Sequence, residues 1–208
     1  MDFPAVLAQD PGVHAKIAAA RRVGKPVDGH APGLVGGALA SYVAAGISTD
    51  HESTTLREAQ AKVKAGMKVM LREGSAARAF DALAPMLEAY PDQVMFCCDD
   101  LHPNDVMEGH INAIVRRAVK DGYDLFAVLR AATLNPVRHY GLPVGLLQPG
   151  DPADVLEVDD LRQFSIRRVF IDGSLVYDHG RVTFPRVQQR PINKFVGGPR
   201  SRTDFIIS

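Results

Sequence analysis

The chain has 208 residues, 24 Lys+Arg against 24 Asp+Glu, and a formal net charge of zero. Its 46% hydrophobic and 23% charged content is that of an ordinary globular protein. Such a balance excludes a broad basic field for nucleic acid or an anionic membrane, and no apolar run approaches the roughly 18 residues that span a bilayer.

Met1-Asp-Phe-Pro opens the chain without the basic segment and apolar run of a signal peptide. Pro11 to Arg22 is predicted as a helix, with Val13, Ile17 and Ala20 at helical spacing. A strand is expected up to Gly29, a helix over Leu34 to Ala45, and a strand over Ile47 to Asp50. Thr55-Leu-Arg-Glu58 matches a capping box and opens the next helix. Then come a strand over Met67 to Leu71, a helix over Ala76 to Tyr90 bent at Pro85, and a strand over Val94 to Cys98. A long helix capped by Asn104 or Asp105 reaches Lys120, and another runs from Asp124 to Leu134. This alternation implies a parallel sheet with right-handed crossovers.

From Gly141 the character changes to turn residues and short strand-like runs: Ala153 to Val158, Arg168 to Ile171, Leu175 to Tyr177 and Arg181 to Phe184. Asp172-Gly173 signals a tight hairpin. A β piece of roughly 40 residues must lean on something else to bury a core.

The chemistry concentrates at the carboxyl ends of the predicted strands, where parallel sheets bind ligands. His30 closes Lys25-Pro-Val-Asp-Gly-His30, and His51 closes Gly46-Ile-Ser-Thr-Asp-His51. One such histidine alone is more often structural. Two of them one strand-helix unit apart suggest a metal site suited to Zn, Fe, Mn or Ni. Asp99 and Asp100 follow the strand ending in Cys98. One reads as a helix cap or solvated loop group, the other as a carboxylate that moves a proton between water and a leaving group. His102 could bond a substrate, orient a carboxylate or simply sit in a loop. Arg72 reads as a surface ion pair, and Glu73 and Ser75 as readers of a substrate's hydrogen-bonding edge. Cys97 and Cys98, the only cysteines, are adjacent and read as buried apolar residues. As strand neighbours they face opposite ways, so no disulfide is expected, which fits a reducing, cytoplasmic setting. No H-x-H, H-E-x-x-H or C-x-x-C is present, so these residues alone are not expected to complete a metal site.

Five segments together resemble the bacterial adenine deaminases of the amidohydrolase superfamily. They are Pro26-Val-Asp-Gly-His30-Ala-Pro-Gly-Leu34, Gly46-Ile-Ser-Thr-Asp-His51-Glu52-Ser-Thr-Thr55, Leu71-Arg-Glu-Gly-Ser75, Phe96-Cys-Cys-Asp99-Asp100-Leu-His102-Pro103 and Ala132-Thr-Leu-Asn-Pro136. Gly150-Asp-Pro-Ala-Asp-Val155 and Val169-Phe-Ile-Asp-Gly173 continue the likeness. The resemblance implies a distorted TIM barrel with a binuclear centre of Mn or Fe, Zn being a third candidate. It makes His30 and His51 metal ligands and Asp99 both ligand and proton shuttle, with Glu73, Ser75, Asp100 and His102 around a purine substrate. The implied reaction is hydrolytic loss of ammonia from adenine, giving hypoxanthine. The family's H-x-H and its bridging carboxylate have no counterpart here. The expected architecture is therefore α/β: a partial (β/α)8 TIM-like barrel of about four βα units, then a small β-sandwich segment. The expected boundaries are 1–140 for the barrel half, 141–187 for the small β domain, and 188–208 for the start of a further domain. Open barrel edges favour a homo-oligomer or another association, and little activity is expected from these residues alone. Two other readings stay open: a different amidohydrolase acting on an amide or cyclic amide, and a non-catalytic remnant.

Overall fold

A computed structural model describes residues 1–188, 190 and 192–206. Its core is a three-stranded parallel sheet, β1 (Thr49–Asp50), β2 (Lys68–Arg72) and β3 (Val94–Cys97), in the order β1-β2-β3. Register runs Thr49 opposite Lys68 and Val69 opposite Val94, so the carboxyl ends of the three strands lie along one edge. Near-continuous apolar burial in β2 and β3, with Val69, Leu71, Val94 and Met95 at 0–1% exposure, is what a sheet covered on both faces requires.

The strand expected before His30 does not form. Its one backbone-to-backbone bond toward β1 among the described residues runs from the Ser48 N–H to the Val27 carbonyl (2.9 Å), and His30 makes a single bridge to Asp2. Pro26 offers no N–H, and the Gly29 N–H is taken by the Thr49 hydroxyl, so no ladder continues. Three paired strands therefore stand where about four were expected.

Helices α1 (Phe3–Leu7), α2 (Pro11–Arg22) and α3 (Gly36–Ala44) pack Val6, Ile17, Leu39 and Tyr42 into one apolar cluster beneath the His30 segment. Asp10 caps α2 by accepting from Val13, with Pro11 at its first position. α1 was not anticipated; five residues give too short a period to read. α4 (Leu56–Lys64) is capped by Thr55, which accepts from the Glu58 N–H at 3.3 Å. The return half of the capping box is missing, because Glu58 is engaged elsewhere. The helix expected from Ala76 is delayed: the Ala79 N–H donates to the Arg72 carbonyl and Arg78 bridges Glu73, so only α5 (Phe80–Leu83) and α6 (Met86–Ala89) form around Pro85. The long helix expected up to Lys120 is broken. α7 (Pro103–Glu108) stops at Gly109, whose φ of 153° ends the helix, and α8 (Ile111–Lys120) restarts after His110. α9 (Leu125–Ala132), capped by Asp124, and α10 (Leu134–Tyr140) complete the helical set. Buried Asn135 donates to the Pro91 and Val94 carbonyls at 2.7 Å each and so pins the start of β3.

The chain then forms a four-stranded antiparallel sheet, β4 (Val155–Val158), β5 (Ile166–Ile171), β6 (Ser174–Asp178) and β7 (Arg181–Val182). Asp172 and Gly173, at φ 48° and 74°, turn the β5–β6 hairpin as the Asp-Gly pair signalled. It is one sheet rather than a sandwich among the described residues. It leans on α8: Phe164 is buried in the main core and the Gln163 carbonyl accepts from Arg116. Of the tail, 189, 191, 207 and 208 lie outside the described residues; the rest holds one short 3-10 turn, Arg202–Phe205. No helix of the described residues is long and apolar enough to cross a membrane.

Candidate metal centre

Two devices bring His30 to His51. The first is Gly29. A Cβ there would lie 2.2 Å from the Thr49 carbonyl, so only glycine lets this segment run against β1. The second is a buried charge cluster that ties the loop after His30 to the loop after His51. Lys62, at 0% exposure, places its ammonium on Asp50 (2.8 Å), Glu58 (2.7 Å), the Ser53 hydroxyl (3.1 Å) and the Ala31 carbonyl (2.6 Å). Asp50 in turn accepts from the backbone of Ala31, Glu52 and Ser53, and Glu58 from Gly33 and Thr54. Burial alone would raise the Asp50 carboxyl, but the Lys62 charge and these hydrogen bonds bring it below its ordinary value. Asp50 also curls the chain directly after β1, which aims Glu52 back at the histidines. Behind His30, the fully buried Tyr42 hydroxyl accepts the His30 N–H at 3.1 Å, and burial pushes that phenol up to about 12.

His30, His51 and Glu52 each offer one ligand atom within 4.8 Å of the other two. Glu52 Oε1 lies 3.3 Å from His30 Nδ1 and 3.2 Å from His51 Nε2, and the two rings meet edge to face at 5.6 Å. Two imidazole nitrogens and one carboxylate oxygen suit Zn, Mn or Fe, so this donor set fits the divalent ion that the likeness implies. Glu52 was assigned no role from the sequence; its only signal was its place directly after His51.

Asp99 joins the cluster through Arg72. The guanidinium holds both Glu52 oxygens, Nη2 at 2.9 Å, and donates from Nη1 to Asp99 Oδ2 at 2.8 Å. Arg72 is thus not a rim charge. It is 9% exposed at the end of β2, inside the site. Asp99 takes a left-handed conformation, φ 49°, which Asp tolerates better than most residues and which turns the chain out of β3. The Cys97 thiol beside it is pushed up to about 12 by burial and by the Asp99 charge, so it is a packed thiol and no nucleophile.

The other expected site residues divide. Ser75, Asp100 and His102 form one loop cluster: the Ser75 hydroxyl accepts the His102 N–H at 2.8 Å and donates to Asp105, while the Asp100 carbonyl accepts the Ser75 N–H at 3.0 Å. The side chains of Asp100 and His102 are exposed there. Glu73 goes the other way. As Arg72's strand neighbour it faces the opposite side, where it pairs with Arg117 at 2.9 Å and accepts the Phe80 N–H at 3.1 Å. It is not part of the histidine cluster, though it helps line a cavity of ≈ 320 Å³ with Gly74, Arg78, Asp105 and His110.

Residues 1–176 match the amidohydrolase family model. The chain is 50% identical over 205 residues to the adenine deaminase of Salinibacter ruber, covering 99% of this chain and 38% of that protein. To the adenine deaminase of Methanosarcina acetivorans it is 52% identical over 186 residues, covering 89% and 34%. It therefore spans little more than a third of the length of these curated relatives. Among solved structures, a β-aspartyl dipeptidase from Fervidobacterium islandicum AW-1 superposes with a TM-score of 0.66 at 22% identity, over 88% of this chain and 54% of that one. An N-acetyl-D-glucosamine-6-phosphate deacetylase from Mycobacterium smegmatis gives 0.55 at 18% identity, over 80% and 52%. With the family model spanning most of its length and His30 and His51 meeting a carboxylate beside the end of β1, this chain belongs to the amidohydrolase family.

Proposed function

We propose that this chain carries part of the metal centre and the proton-transfer group of a hydrolytic adenine deaminase. The observation that carries this reading is the meeting of His30, His51 and Glu52 within 4.8 Å, with Asp99 tied to the same carboxylate through Arg72. His30, His51 and Glu52 would hold a divalent ion, Mn or Fe with Zn as the alternative, and Asp99 would complete the set or stand beside it. Such an ion supplies Lewis acidity that makes water a nucleophile near neutral pH. Asp99 accepts the proton of the attacking water and returns it to the departing amine. Arg72 fixes the direction from which Asp99 does this. Ser75, Asp100 and His102 lie on the adjoining loop, where a purine's polar edge would be read. Glu73 takes part only as a wall of the neighbouring groove, since its carboxylate is committed to Arg117.

In this reading residues 1–140 are half of a (β/α)8 barrel, 141–187 a small β domain, and 188–208 the start of further structure. The free edge of β3 and the irregular segment ending at His30 are then the edges at which a second copy or another chain completes the sheet.

The test is a chimera. The matched 205 residues of the Salinibacter ruber protein are replaced by this chain, and ammonia release from adenine is measured. The chimera is expected to turn over adenine, and Asp99→Ala within it to lose roughly 100-fold or more. A folded chimera active only on other amides, or on nothing, would count against the proposal.

A further inference from the structure

Two buried cations serve this site, and their surroundings differ. The Lys62 ammonium has four acceptors and no free donor capacity worth using. Arg72 is less settled. Its Nη atoms hold Glu52 and Asp99, but its Nε–H is buried with no acceptor, a condition that disfavours the seat it occupies. The atom it holds also matters. Glu52 Oε1, which accepts from Arg72 Nη1, is the oxygen that faces His30 Nδ1 and His51 Nε2. The lone pairs that a metal ion would need are those the guanidinium now uses. Arginine stays charged at any working pH. With Glu52 and Asp99 ionised and the imidazoles neutral, the cluster carries one net negative charge, and a divalent ion would reverse it beside an existing cation.

We propose that Arg72 is the resident counter-cation of this centre: a divalent ion entering between His30, His51 and Glu52 displaces the guanidinium from Glu52, and Arg72 keeps its hold on Asp99. Ion and arginine compete for one carboxylate. The arginine keeps two carboxylates from repelling each other until the ion arrives, and it then serves only to orient Asp99. The inference rests on the metal-centre reading above.

Zn(II) affinity of the 208-residue chain, measured by chelator competition, tests it. Arg72→Gln, which keeps a polar side chain without the charge, is expected to bind Zn(II) roughly tenfold more tightly, the scale of removing one like charge from a half-solvated site. Arg72→Lys, which restores a cation, should return close to the original affinity. Equal or weaker binding by Arg72→Gln overturns the competition. Should that variant fail to fold by circular dichroism, the unaltered chain decides. Its Arg72 Nη2 protons, held by Glu52 alone and slow to exchange without metal, should exchange fast after one equivalent of Zn(II); no change overturns the proposal. Absence of stoichiometric Zn(II) from every form would overturn the metal centre itself. Binding that Arg72 does not influence overturns only the counter-cation role.

Discussion

Lys62→Met is expected to lower unfolding stability by about 3–5 kcal/mol, the cost of leaving buried charge without its partner. The methionine fills similar volume, but Asp50 and Glu58 then share a buried pocket as two carboxylates with only backbone N–H groups and the Ser53 hydroxyl as donors. The loss should depend on pH, with a sign set by Asp50. Its carboxyl is held below the ordinary value in the folded chain. Its contribution is therefore present above the unfolded value of about 3.9 and lost as pH falls through the lower, folded one. In the variant the main lowering influence is gone and burial raises the same carboxyl. The gap between the unaltered chain and Lys62→Met should thus narrow below about pH 4. Urea titrations at pH 7 and pH 3.5 measure both. A loss below ~1 kcal/mol at pH 7 would mean that the cluster does not hold the two loops.

His51→Ala should do the opposite: large loss of metal, little loss of fold. The side chain is partly exposed, and its one polar contact is with Glu52. Removing it should leave stability within about 1 kcal/mol. It also removes one of three donors, and affinity for Mn(II) or Zn(II) should fall by roughly 100-fold or more, since even supporting groups around a metal are worth 10–100-fold. A variant that unfolds, or that binds metal as the unaltered chain does, would place His51 in a structural role.

The parts of this molecule that were legible in its sequence depend on local chemistry. α2 spans Pro11–Arg22, as the helical spacing of Val13, Ile17 and Ala20 indicates. The Asp172-Gly173 turn and the apolar cores of β2 and β3 also follow from local pattern. His30 and His51 could be paired because each closes a strand-like run, and their rings do lie together. Long-range partners were not legible. Lys62 drew no reading from the sequence, and only the fold shows that Asp50 and Ala31 surround it. Arg72 looked like a rim charge because nothing nearby in sequence places Glu52 and Asp99 on either side of it. The segment ending at His30 looked like a strand, but Gly29 needs its contact with Thr49 more than a ladder. Gly109 carried the break between α7 and α8, yet a lone glycine inside a helical pattern is often tolerated.

The most direct measurement is X-ray absorption on the chain loaded with one equivalent of Zn(II). Scattering from two imidazoles is expected, falling to one in either His30→Ala or His51→Ala. Zinc bound without imidazole scattering, or a spectrum unchanged by both substitutions, would contradict a centre built on His30, His51 and Glu52.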